Sequence, residues 1–116
     1  MQTMAEILFE LEENQALQLL SLRNNVLRIH KEEDENKLLQ NPSKKEQTLK
    51  LKKLKWDIVN SLTKIAKGPY FLHMDISGLL LGSEALKHIV FEGVRHSKTM
   101  LGFHFLWNRV DHWTRM

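Results

Sequence analysis

The sequence predicts an α/β fold: a solenoid whose short parallel strands line a concave face and whose helices cover the convex one. Three observations predict it. One eleven-residue spacing of apolar side chains occurs three times, at Leu17, Leu20, Leu22 and Leu27, at Phe71, Met74, Ile76 and Leu81, and at Met100, Phe103, Phe105 and Val110. Stretches with apolar residues at helical spacing precede or separate the copies, so the order reads helix, strand, helix, strand, helix, strand. The rival for that order, a doubly wound parallel sheet, calls for longer strands and a glycine-rich phosphate loop, and neither GxGxxG nor GxxxxGKS occurs.

Each element has a local reason. Thr3-Met4-Ala5-Glu6 reads as a capping box with Thr3 as N-cap, and Met4, Ile7, Leu8 and Leu11 carry a helix over about residues 4–13. The first strand is expected near 19–22, with a turn at Asn24-Asn25. Residues 28–42 are charged and poor in apolar side chains, which predicts a loop within a charged insertion at about 28–45. Ser43-Lys44-Lys45-Glu46 is a second capping box. Leu51, Leu54, Ile58, Leu62 and Ile65 then form one stripe, so a helix is expected over 44–67, its first two turns projecting beyond the packed part. Gly68-Pro69 stops it. The second strand falls near 72–76, with a turn at Ser77-Gly78. Ser83 as N-cap with Leu86, Ile89, Val90 and Val94 predicts a helix over 84–96, and the third strand lies near 102–105. The long first interval reads as an insertion, although Leu51, Leu54, Trp56 and Val59 fit the repeat pattern loosely.

The chain has 116 residues, which bounds it to one domain, with 42% hydrophobic content to build a core. No apolar run approaches the length of about 18 residues that a membrane span needs. The N-terminus lacks the basic start of a signal peptide, and there is no cysteine for a disulfide or thiolate metal site. Together these predict a cytoplasmic protein. The net charge of +3 is unevenly placed. An acidic cluster at 32–35 precedes Lys44, Lys45, Lys50, Lys52, Lys53 and Lys55. That block reads first as a solvated helix face and second as an electrostatic patch for an acidic partner, nucleic acid or an acidic filament. Nucleic acid is disfavoured, because no aromatic residues are interleaved for base stacking.

The repeated spacing, with Asn25 and Asn108 at its ninth position, resembles LxxLxLxxNxL, the signature of the leucine-rich repeat. Leu17–Leu27 matches throughout, Met100–Val110 matches with apolar substitutes, and Phe71–Leu81 departs at Leu79, where Asn or Cys is usual. The unit length with a full helix is similar to the ribonuclease-inhibitor-like subclass. A looser likeness, through HMDISG and SKTML, is to repeat arrays of ciliate and cytoskeletal proteins. The resemblance implies about three repeats of a longer array, a ligand on the concave strand face, and a core from Leu20/Leu22, Met74/Ile76 and Phe103/Phe105. It also implies an asparagine ladder between turns, broken here at Leu79.

Alternation puts Leu19, Ser21 and Arg23, His73, Asp75 and Ser77, and Gly102, His104 and Leu106 on the open face. With Trp107, the residues Ser21, Arg23, His73, Asp75, Ser77 and His104 are the expected partner-binding set. The row Ser21, Asp75, His104 also admits a hydrolytic triad, and His73, Asp75 and His104 a metal site. No nucleophile elbow accompanies the former and no second shell is evident for the latter, so no catalytic residue, metal or cofactor is expected. Nor does an arginine loop match the GTPase-activating member of the subclass. The expected function is a non-catalytic scaffold for protein partners. Self-association or a larger assembly is expected through a C-terminal edge bearing Phe103, Phe105, Trp107 and Trp113. Trp56 is expected in the core.

Overall fold

The computed structural model describes residues 1–109; Val110 of the repeat spacing and Trp113 of the expected C-terminal edge lie outside the described residues. Helix α1 (Gln2–Leu11) leads to strand β1 (Leu19–Ser21), α2 (Glu32–Leu39), α3 (Lys45–Ala66), β2 (His73–Asp75), α4 (Ser83–Glu92), a 3-10 turn (Val94–His96) and β3 (Gly102–His104). The strands form one parallel sheet in the order β1-β2-β3. Leu20, Met74 and Phe103 share one register row, and Ser21, Asp75 and His104 the next.

The leucine-rich-repeat solenoid is not what forms. The chain is a compact unit of 45 × 33 × 22 Å in which four helices dominate an open sheet of three-residue strands. The physical reason lies in the connections. One carries α2 and the 22-residue α3, the other α4 and the 3-10 turn, so the two crossings share neither length nor content. The apolar spacing marks strands with one covered face, which any parallel sheet backed by helices requires. It locates strands without dictating the architecture that surrounds them.

Helix α3 is the spine: α1, α2 and α4 all pack on it. Its residues Ile58, Val59, Leu62, Ile65 and Ala66 meet Met74, Ile76, Leu86, Ile89 and Leu8 in a closed core. Met74 and Ile76 are wholly buried, each worth roughly 1.5–3 kcal/mol. The edge-strand counterparts Leu20, Leu22, Phe103 and Phe105 are only partly covered, because each edge strand has a neighbour on one side alone among the described residues. Trp56 also packs on the core only in part, edge-on to His88 at 5.5 Å.

Several local expectations are corrected. Thr3 lies inside α1, whose N-cap is Met1, and Ser43 turns back to Asn41 (Oγ to Oδ1, 2.8 Å), leaving Lys44 as the N-cap of α3. Neither capping box forms. The first turns of α3 do not project; Thr48 is buried there, and Lys52 reaches Glu35 of α2 at 3.5 Å. The stretch read as a loop contains α2. Four acids in its first turn complement the helix dipole, and Glu35 is buried against α3. Glu32 then caps α4 in place of Ser83. Its Oε1 accepts from the Glu84 amide at 2.9 Å, beside Gly82, whose φ of 94° suits glycine. Helix α4 ends at Glu92, short of the expected boundary.

The asparagine ladder is half formed. Asn108 is buried, its amide donates to Ile76 O and Phe105 O at 2.9 Å each, and its Oδ1 accepts from Leu81 N at 3.1 Å. It therefore serves the very turn that Leu79 was expected to leave unserved. Asn25, exposed at the other edge, bonds only its own turn, at Leu22 O and Arg23 O. Asn108→Ala should therefore cost about 2–4 kcal/mol by orphaning buried backbone groups, and Asn25→Ala under about 1 kcal/mol. Paired urea denaturation curves check this; equal losses would contradict it.

Candidate functional site

One face of the sheet carries no helix among the described residues. It presents Leu19 and Ser21 on β1 with Arg23 beyond it, His73 and Asp75 on β2, and His104 on β3 followed by Leu106 and Trp107. Leu19, Leu106 and Trp107 are 63%, 65% and 77% exposed, so apolar surface surrounds a polar centre. Of the partner-binding set, Ser77 does not belong: it is 2% exposed and its hydroxyl has no hydrogen-bond partner among the described residues. The chain has begun its turn there and tucks the side chain inward.

The polar centre is paired differently from the triad or metal readings. Asp75 accepts from the Ser77 amide at 3.0 Å and from Arg23 Nη1 at 3.5 Å. His104 shares its register row with Ser21 and Asp75, yet its Nε2 meets His73 Nε2 at 2.7 Å. Ser21 is thus left without a base. Among the described residues no group of three or more potential ligands converges, and His30, His88 and His96 join no such cluster.

The lysine block is mostly spoken for. Lys50 pairs with Glu46 at 3.6 Å, Lys52 with Glu35, and Lys53 with Asp57 at 3.0 Å. Lys55 is 2% exposed, its ammonium 5.9 Å from the Trp56 ring centre. Lys44 and Lys45 remain exposed at the helix start. The i,i+4 acids and the tertiary acid Glu35 break what reads in sequence as a continuous basic patch.

Sequence reasoning missed the His73–His104 contact and the backbone of Trp107. The eighth position of all three copies, Asn24, Gly78 and Trp107, adopts a positive φ of 63°, 79° and 60°. Asn-Asn and Ser-Gly signal such a turn; a tryptophan does not. Comparison adds no relatives: no family model, curated protein or solved structure matches the chain. Nothing identifies it as a leucine-rich-repeat protein. No helix among the described residues is long and apolar enough to cross a membrane.

Partial burial opposes ionisation of Asp75, but the hydrogen bond from the Ser77 amide and the charge of Arg23 outweigh it and hold the carboxyl below its ordinary 3.8. A depressed folded-state value contributes stability above the unfolded value, lost as pH falls through the folded one. Asp75→Asn should therefore be less stable than wild type near neutrality, with the gap closing below about pH 4. Thermal melts across that range check it; a gap that widens on acidification would contradict it.

Proposed function

We propose that the chain is a non-catalytic protein-interaction module whose partner surface is the open sheet face together with the Trp107 turn. The observation that carries this reading is Trp107, which is 77% exposed while its backbone is held at φ 60°. A left-handed conformation costs a bulky residue roughly 1–2 kcal/mol, and an exposed ring offsets little of that by packing within the chain. Exposed tryptophans are favoured anchors of interfaces. Leu106 and Leu19 extend the apolar surface, and Arg23 and His104 supply polar groups between them.

The side-chain pairings support a non-catalytic role. Asp75 is committed to Arg23 and Ser77, and the two histidines to each other. The electrostatic alternative loses support because acids stand beside Lys50, Lys52 and Lys53 and Lys55 is buried, which breaks the basic run.

Trp107→Gly separates function from folding. Glycine suits the left-handed turn, so stability should hold or rise by about 1 kcal/mol, while partner capture should fall at least about tenfold. Affinity purification with wild-type and variant baits, with Phe9→Ser on α1 as a distant exposed-residue control, measures this. Equal recovery of the same partners by the Trp107 variant would sink the reading.

A further inference from the structure

On the open face β2 and β3 are tied, side chain to side chain, by one hydrogen bond between two histidines. We infer that this tie is a proton-operated latch on the interaction face, an inference that rests on the reading of that face as the partner surface. His73 Nε2 and His104 Nε2 are 2.7 Å apart, and the ring centres 4.8 Å apart with 26° between planes. The centre-to-centre distance exceeds the nitrogen separation by close to two ring radii, so the rings meet end to end. Two lone pairs do not face each other at that distance, nor do two N–H groups. One ring donates and the other accepts, and the accepting ring is neutral.

The register explains why these rings meet. His73 lies opposite Gly102 and Asp75 opposite His104, which makes the imidazoles diagonal neighbours, ordinarily the more distant pair. Gly102 removes the side chain that would stand between them. A Cβ there would sit 2.4 Å from His73 Cε1 and 2.7 Å from its Nδ1. The His73 ring leans over bare backbone toward β3.

When both rings carry two protons, both Nε2 atoms are donors and the latch has no acceptor. Only full protonation of both rings produces that state. The charged groups on this face among the described residues are Asp75 on β2 and Arg23 after β1, already paired with each other. Leu19 and Ser21 on β1 and Leu106 after β3 carry no charge, and the helices lie behind the sheet. Each added proton is therefore an unbalanced positive charge. Double protonation turns a tied face into an open, cationic one that favours acidic partner surfaces.

Nitrogen-15 NMR of the histidine rings in the full chain tests the latch. At neutral pH one ring is expected to be protonated at Nε2 and the other to accept there, with a scalar coupling between the two Nε2 atoms; titration with acid is expected to abolish the coupling. Gly102→Ala keeps both histidines but puts a methyl where the His73 ring lies, and is expected to abolish the coupling at every pH while the remaining amide spectrum persists. His73→Gln and His104→Gln are each expected to leave no such coupling. No coupling in the wild type at neutral pH, or an unchanged coupling in Gly102→Ala, overturns the latch. The measurement uses no partner, so its failure leaves the interaction reading standing. An intact latch with capture insensitive to Trp107 would instead remove the interaction reading alone.

Discussion

The buried amide of Asn108 is the constraint on which the rest of the sheet depends. The segment from Ile76 to Leu79, with Leu81 and Gly82, is buried, and buried irregular backbone must account for every amide and carbonyl. Asn108 satisfies Ile76 O and Leu81 N, and its own carbonyl accepts from Gly82 N at 2.7 Å. The neighbouring strands serve the rest: Gly78 N donates to Leu106 O, and Ser77 O and Leu79 O accept from Asn24 and Leu27. One side chain from the third strand's turn thereby holds the second strand's turn between its neighbours. Leu79, freed from that task, fills the core.

This clamp also shapes the surface. To bring Asn108 inward, the preceding residue must turn through the left-handed region, as Asn24 and Gly78 do at the same place. Gly78 has an added reason for lacking a side chain, since a Cβ would lie 2.5 Å from Asn24 Oδ1. At Trp107 the same backbone requirement meets an aromatic ring and leaves it outside. The exposed anchor and the buried clamp are thus adjacent consequences of one turn. Behind the sheet, polar contacts place the helices on α3. Glu12, after α1, accepts from Ser61 at 2.7 Å and lies 3.6 Å from Lys64, and Glu35 of α2 meets Lys52.

What was legible followed from periodicity. Strand positions, the α3 stripe and its stop at Gly68, and the row of Ser21, Asp75 and His104 all rest on spacing that burial of one face imposes. What misled was information of the wrong range. The capping boxes at Thr3 and Ser43 are local patterns, outcompeted by a start at Met1 and by an Asn41 turn. Helix α2 has little apolar periodicity, and its order comes from Glu35 and Glu32 reaching α3 and α4. Lys55 looked like part of a basic run because nothing local distinguishes a lysine packed beside Trp56. The repeat pattern reported a covered strand face and was extended to an architecture it does not specify.

By itself, then, the sequence determined where strands and the long helix lie and which apolar side chains face in on β2 and α3, because alternation and helical spacing are properties of neighbouring residues. Only the tertiary structure decided that a compact helix-dominated unit forms, that Asn108 repairs the turn at Leu79, and that Ser77 is lost from the surface. It also decided that His104 turns from Asp75 to His73. Each of these depends on residues distant in the chain competing for one space. The absence of a side chain at Gly102, opposite His73, shows the point: its meaning exists only once two strands lie side by side.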